Sequence, residues 1–569
     1  MKKKLWIAFS MLLIIAIVAS ACSNNTGSSG GSGNAPAGER NTDNSDTAEE
    51  NSNLTEPGTF PIVNEKVTLR VLAIDTGRVE NIETNEFTKY YEDLTNVHIE
   101  WELTPQAQAN EKLNLMLASG DYPDVIMKFD VSPSQMMVYG DQGVFLSLNE
   151  LIEEHGSFSK NLLEEKELLK SAITSPDGEI YALPMYAECY HCTHQMKMWI
   201  NEPWLTKLGL EMPTTTEEFY QVLKAFKEQD PNGNGQADEI PLVGSNPNKG
   251  NLAIHNFLMN AFVYYDMINN KGLIVNNGKL EPSFTKPEFK EGLLYLNRLY
   301  ADGLLAAETF TQDRNQLRSM VEHPGVPIVG AVPALAPSVV SQIGSESGRW
   351  LDLQAVPPLQ GPNGLQVSPY NPYFTYSPSG FIITAAAKHP EVALRWGEGF
   401  YDQDIMMRSR FGAENEGWGR VEGQGKKSID GGEAAWERYD AHGNVQNAHW
   451  GQTNHDYQSM TFRHSESAEV EGLPVNHEVI IYEATKNQYE PYRPALDQIL
   501  PPLWFTQEQA GELVELETTI MNYIDEMVAR FAIGDLDIER EWDNYVKTLE
   551  NMNLAAFVAI HQEAYDAVK

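Results

Sequence analysis

Apolar positions between residues 66 and 127 switch period in a regular way. From Lys66 the chain reads VTLRVLAI, a run rich in β-branched residues that predicts a strand. A helical stretch from about Asn85 to Leu94 follows, and then VHIEWEL alternates as a second strand. AQANEKLNLMLASG sets Ala109, Leu113, Met116 and Leu117 on one helical face and stops at Gly120. PDVIM is a short third strand. Strand, helix, strand, helix, strand predicts a parallel sheet with covering helices.

The pattern continues downstream. DGEIYALP, from Asp177 to Pro184, reads as a turn and strand, and MKMWINEPWLTKLGL as a strand and short helix. In PTTTEEFYQVLKAFKEQ, Thr214 and Glu217 read as a capping box after Pro213, with Phe219, Leu223 and Phe226 as the buried stripe. PEFKEGLLYLNRLYADGLL is another amphipathic helix, and FIITAAAKHPEVALRWGEGFY a strand, turn and helix. Long Pro-, Gly- and aromatic-rich loops lie around 325–380 and 411–475. The C-terminus is helical: Thr506 and Gln509 box the start of a helix carrying Leu513, Leu516, Ile520, Ile524, Met527 and Phe531 on one face, ended by Gly534. Two shorter helices close the chain, and no internal repeat is present.

The first 60 residues follow other rules. Lys2, Lys3 and Lys4, the apolar run Leu5 to Ala19 and the small residues before Cys22 read as a secretory signal over 1–21, too short for a comfortable membrane span. A cysteine directly after Ala19-Ser20-Ala21 makes the segment resemble a bacterial lipoprotein signal, which implies cleavage before Cys22 and lipidation of its thiol; an ordinary signal with a chance cysteine is the alternative. Residues 22–60 are Gly, Ser, Asn, Asp and Glu with almost nothing to bury, a disordered tether. About 510 residues remain, too many for one core, so two or more lobes are expected.

Charge narrows the partners. Loss of three lysines with the signal takes the net charge from −39 to −42. That excludes a nucleic-acid partner, which wants a basic patch. It argues weakly against a strongly anionic ligand, although a local basic pocket could overrule it.

Taken together, DGEIYALP, WINEPWLTKLGLEMPTTTEEFYQVLKAF, DPNGNGQADEIP, FKEGLLYLNRLYADGLL, the LPPLWFTQEQ to GDLD stretch and the closing QEAYD resemble the extracellular solute-binding lipoproteins of Gram-positive ABC importers. The nearest group is the large oligosaccharide-binding type of Paenibacillus and relatives, family 1, similar to the alginate-binding proteins. The resemblance runs from about residue 60 to the end. It implies a two-lobed, periplasmic-binding-protein-like α/β fold with a ligand cleft between lobes and a helical C-terminal region. The first lobe would take mainly 61–185 plus about 310–390, the second mainly 186–309 plus about 391–569. It also implies a protein without catalytic activity, held by lipid on the outer face of the membrane, that delivers a glycan to permease subunits; a monomer is expected. A secreted carbohydrate-active hydrolase or lyase, and a surface adhesion or sensing module, are the alternatives.

Residues 230–241, DPNGNGQADEIP, have the spacing of a calcium loop. Asp230, Asn232, Asn234, Gln236 through its carbonyl, and Asp238 occupy the first, third, fifth, seventh and ninth positions, with Gly235 at the sixth. The twelfth is Pro241, so the usual closing Glu is absent and Glu239 is the nearest substitute. The resemblance implies a structural calcium ion held by these six residues. A solvated Asx-Gly turn is the alternative.

ECYHCTHQM, from Glu188 to Met196, gathers Cys189, His191, Cys192 and His194, which leaves open zinc, a disulfide or free thiols. Its position between the lobes makes Tyr186, Tyr190 and His194 candidate cleft residues. Sugars are met by aromatic rings and hydrogen-bonding side chains. Tyr370, Tyr373 and Tyr376, with Arg410, Trp418, Trp436 and Trp450, supply both from the loop-rich stretches.

Overall fold

Nine alternating residues of β1 (Val67–Asp75) put Val67, Leu69, Val71 and Ala73 into a core, and the strand pairs in parallel with β2 (Val97–Pro105) and β3 (Val125–Met127). The computed structural model describes residues 53–246, 250–439 and 445–568. The signal at 1–21, Cys22 and most of the tether lie outside the described residues. The helices between these strands are those the periodicity predicts: Glu86–Thr95, capped by Asn85, and Ala109–Ser119, which buries Ala109, Leu113, Met116 and Leu117 and ends at Gly120.

Two sheets result. The first has the order β14-β4-β11-β3-β1-β2, where β4 is Leu183–Ala187, β11 is Tyr376–Ile383 and β14 is Tyr457–Gln458. Only β11 runs against the others. The C-terminal ends of β1, β2, β3, β4 and β14 therefore share one edge. The second sheet has the order β10-β5-β9-β6, with β5 Met198–Asn201, β6 Ile240–Leu242, β9 Val329–Pro333 and β10 Leu353–Val356. Its largest apolar core continues into the C-terminal helices Gln507–Ala532, Ile538–Asn551 and Leu554–Val568.

Three expectations are corrected. The capping box of Thr216–Glu228 is made by Thr215 and Glu218, one residue later than the sequence suggests; Thr214 instead donates to the same Glu218. The stripe is as expected: Phe219, Leu223 and Phe226 are fully buried, each contributing about 1.5–3 kcal/mol of transfer free energy. The lobe boundaries also move. β9 and β10 lie within 310–390 yet pair with β5 and β6, so this stretch belongs to the second sheet until β11 begins. Conversely Val392, Leu394, Trp396, Phe400 and Trp450, assigned to the second lobe, pack in the first lobe's core, and β14 pairs with β4. Sequence order misled because the chain returns to the first sheet only after 376. Finally, the tether ends before residue 60. The buried Arg395 guanidinium grips the carbonyls of Glu56 and Thr59, and Phe60 stacks on Phe158.

The chain passes between the sheets three times: between β4 and β5, between β10 and β11, and after β14 into the helix His477–Ala484, whose Ile481 and Ala484 join the second core.

Candidate functional site

The three crossing segments meet at His194. Its ring is fully buried, with Nδ1 2.8 Å from Ser368 Oγ on the second crossing and Nε2 3.3 Å from Glu490 on the third. Burial lowers the pKa of His194, against the pull of Glu490. Tyr370 lies 5.0 Å from this ring and under Arg493, and Tyr190 packs on Tyr482 and His464. His194 is thus a clamp between crossings rather than an exposed cleft residue, which corrects the expectation for it. Tyr190, Tyr370 and Tyr373 are half-buried on or beside the same segments.

At the shared strand edge the register aligns three tyrosines. Tyr186 of β4 pairs with Tyr376 of β11 and with Tyr457 of β14, and the rings of Tyr186 and Tyr457 stack at 5.7 Å. The Tyr186 hydroxyl donates to Glu188, which also pairs with Lys166 at 2.9 Å. Tyr457 was not singled out from the sequence; nothing in its local pattern marks it, because only the pairing of a two-residue strand brings it there.

Beside this edge a cavity of about 360 Å³ is lined by Arg410, Arg438, Arg463, Glu466 and Glu478, with Trp436 and Phe462 as apolar walls. The charges are largely paired. Arg438 reaches Glu466 at 3.0 Å, Arg463 lies 3.7 Å from Glu478, and Arg410 holds the fully buried Asp456 at 2.9 Å. Burial pulls the His191 imidazole down to about 3, so it stands neutral beside Glu478 at pH 7. Cys189 and Cys192, which also line the cavity, form a disulfide, the outcome of the three left open. A second cavity, of about 270 Å³, shares Gln452 with the first. Fixed donors, acceptors and ring faces of this kind suit a polyhydroxylated ligand.

The three candidate tryptophans are all buried. Trp450 is 1% exposed, donates to Thr88 and belongs to the first lobe's core. Trp418 is 4% exposed despite its flanking glycines. Its indole donates to the Gly412 carbonyl and its ring packs with Met407, Phe411 and Trp436. The glycines are what permit this: a Cβ at Gly417 would meet the Phe411 carbonyl oxygen at 1.6 Å. Trp436 is equally buried, stacked on Phe462, and only part of it lines the cavity. Arg410 is the one of this group that lines the cavity with a charge.

The acidic loop coils on its own hydrogen bonds. Asp230 accepts backbone N–H bonds from Gly233, Asn234 and Gly235 at 2.9–3.1 Å. Asn232 and Asn234 accept from Asn234 and Gln236 and donate their amides to Asp238. Gly235 sits at φ 74°, where a side chain would be strained. Glu239 has a buried Oε1 with no hydrogen-bond partner, and burial followed by the charges of Asp230 and Asp238 pushes its carboxyl up. The nearby Lys207 amine donates to the Pro231 carbonyl rather than to a carboxylate.

Comparison with known proteins places the arrangement. The family described as bacterial extracellular solute-binding protein matches residues 80–398. The chain is 29% identical over 519 residues to the fructooligosaccharide ABC transporter substrate-binding protein FusA of Streptococcus pneumoniae, covering 89% of this chain and 91% of that one. The structure of FusA with kestose matches with a TM-score of 0.71 at 27% identity, over 88% of this chain and 99% of that one. A FusA EF-hand mutant with fructo-nystose matches equally, with a TM-score of 0.71 at 26% identity and the same coverage. A solute-binding protein of Bifidobacterium longum infantis shares the fold, with a TM-score of 0.74 at 21% identity and the same coverage.

Proposed function

This chain belongs to the bacterial extracellular solute-binding protein family, and from that premise we propose that it captures an oligosaccharide between its two lobes and passes it to the permease of an ABC importer. The observation that carries the reading is likeness along nearly the whole chain to a transporter's sugar-binding subunit solved with its sugar. The cavities at the shared strand edge, beside the crossings, suit it: a ligand there is reached by both lobes only when they close, so it favours the closed form. Its relatives named above are binding proteins, and the reading includes no catalytic step.

The residues of the loop fit a calcium ion. Glu239 Oε1, buried and without a partner, stands with two further carboxylates that no arginine or lysine pairs among the described residues. Asp230, Asn232, Asn234, the Gln236 carbonyl, Asp238 and Glu239 would hold the ion. A divalent charge there offsets their repulsion and braces the second lobe.

The mature protein is read as a monomer anchored by lipid on Cys22, outside the membrane. Cells fed labelled palmitate should label the wild type and leave Cys22→Ser unlabelled; equal labelling of the two contradicts the anchor. The capture reading is tested by thermal shift against a panel of oligosaccharides, with reducing ends assayed in parallel. At least one sugar should raise the melting temperature and none should be cleaved. A panel without a single shift, or cleavage, overturns it.

A further inference from the structure

The second cavity lies at the C-terminal ends of β1, β2 and β3, the edge outside which open α/β sheets bind ligands. Thr76 and Arg78 follow β1, Gln106 follows β2 and Lys128 follows β3; Gln452 and Thr453 complete the wall. The lining has two cations and no carboxylate. In a chain with 80 Asp and Glu against 41 Lys and Arg, this is a local reversal of sign.

Lys128 is held there by force of structure. Its φ is 59°, a left-handed conformation uncommon for a residue other than glycine, and its backbone N–H is fixed on the Gly380 carbonyl. Its amine donates to the Gln452 carbonyl at 2.9 Å and touches Met185 sulfur at 3.3 Å. Among the described residues neither Lys128 nor Arg78 stands in an ion pair with a carboxylate, whereas Arg410 next door has Asp456. Burial lowers the Lys128 pKa, and Arg410 adds to this against Asp456. A partly buried ammonium with no ion-paired carboxylate among the described residues is costly, and an anion from outside would offset that cost.

We propose that the glycan is acidic, with a carboxylate or sulfate group seated in this cavity against Lys128 and Arg78. This rests on the oligosaccharide-binding reading above. The net negative charge of the protein does not forbid it. Distant surface carboxylates are screened over about 8 Å at physiological salt, and a cleft focuses the field of its own walls. Gln106, Thr76 and Gln452 are placed to take sugar hydroxyls. The adjoining cavity, whose arginines are paired with Asp456, Glu466 and Glu478, takes a neighbouring sugar unit.

Calorimetric titration of the whole protein in calcium-containing buffer tests this with four probes: trigalacturonate, its methyl ester, a sulfated trisaccharide and neutral kestose. One acidic probe should bind, and which one identifies the anion. For trigalacturonate, the ester should bind about tenfold or more weakly, and affinity should fall as sodium chloride rises. Lys128→Met should weaken the acidic probe by about tenfold, and Arg78→Gln by less. If Lys128→Met fails to fold, the exposed Arg78→Gln and the probe comparison carry the same readout. Tighter binding of kestose, unchanged by either variant, overturns the acidic glycan and leaves oligosaccharide capture standing. Binding of no sugar, here or in the wider panel, overturns both.

Discussion

Two clusters of carboxylates in this protein are handled in opposite ways. Around the larger cavity, Glu466 faces Arg438, Glu478 faces Arg463 and Asp456 faces Arg410. In the loop at 230–239, Asp230, Asp238 and Glu239 gather with backbone N–H groups and amides only, and one carboxylate oxygen is left buried and unpaired. The first cluster carries its counter-charges within the chain. The second has no arginine or lysine paired with it among the described residues. On the function proposed above, the difference separates a binding surface whose groups are fixed before a ligand arrives from a structural site that would rely on an ion.

The largest effect should come from breaking an internal pair. Glu466→Ala leaves Arg438 buried without its carboxylate and should cost about 3–5 kcal/mol in urea unfolding. Replacing both by apolar residues, Glu466→Leu with Arg438→Met, should recover most of that. A double variant as unstable as the single one would show that the pair is not self-contained.

Calcium comes next. At an ion concentration a hundredfold above Kd, binding stabilises by about 2.7 kcal/mol, so a chelator should lower the melting temperature and added calcium should restore it. In chelator, Glu239→Gln should melt above the wild type because it removes like-charge repulsion; in calcium it should melt below. An unchanged melting curve in chelator would make the loop a plain turn.

The smallest effect concerns a charge with neither kind of partner. Lys197 is fully buried, donates to carbonyls of the first crossing, and burial pulls its ammonium down to about 7. Unfolded, a lysine titrates near 10.4. Between these values the unfolded chain binds more protons, so stability rises with pH, by at most about 1.4 kcal/mol per unit. Lys197→Met should flatten the rise between pH 7 and 8 in urea midpoints. Parallel profiles for variant and wild type would mean that the amine is not desolvated.

How legible each region was follows from how it is built. The loop is contiguous, so spacing named Asp230 through Asp238, and the resemblance added Glu239. The helix 507–532 was legible for the same reason: its cap and its stripe, from Leu513 to Phe531, lie in one stretch. The cavity was not. Arg438, Arg463, Glu466 and Glu478 come from a short hairpin strand, a five-residue helix, a loop and a helix N-terminus. No local period marks them; of the lining, Arg410 and Trp436 were picked out as sugar contacts, and Cys189, His191 and Cys192 only as a metal or thiol cluster. The glycines flanking Trp418 suggest an exposed ring, whereas Gly417 and the Met407 and Phe411 packing make its burial possible, and Trp450 packs in the first lobe's core. The lobe boundary failed because strand partnership, not chain order, assigns β9 and β10.

Closure of two lobes on one sugar is what small-angle X-ray scattering sees directly. The oligosaccharide giving the largest thermal shift should reduce the radius of gyration, while a sugar giving no shift leaves it unchanged. An unchanged radius at saturating concentration of the bound sugar would contradict capture between the lobes.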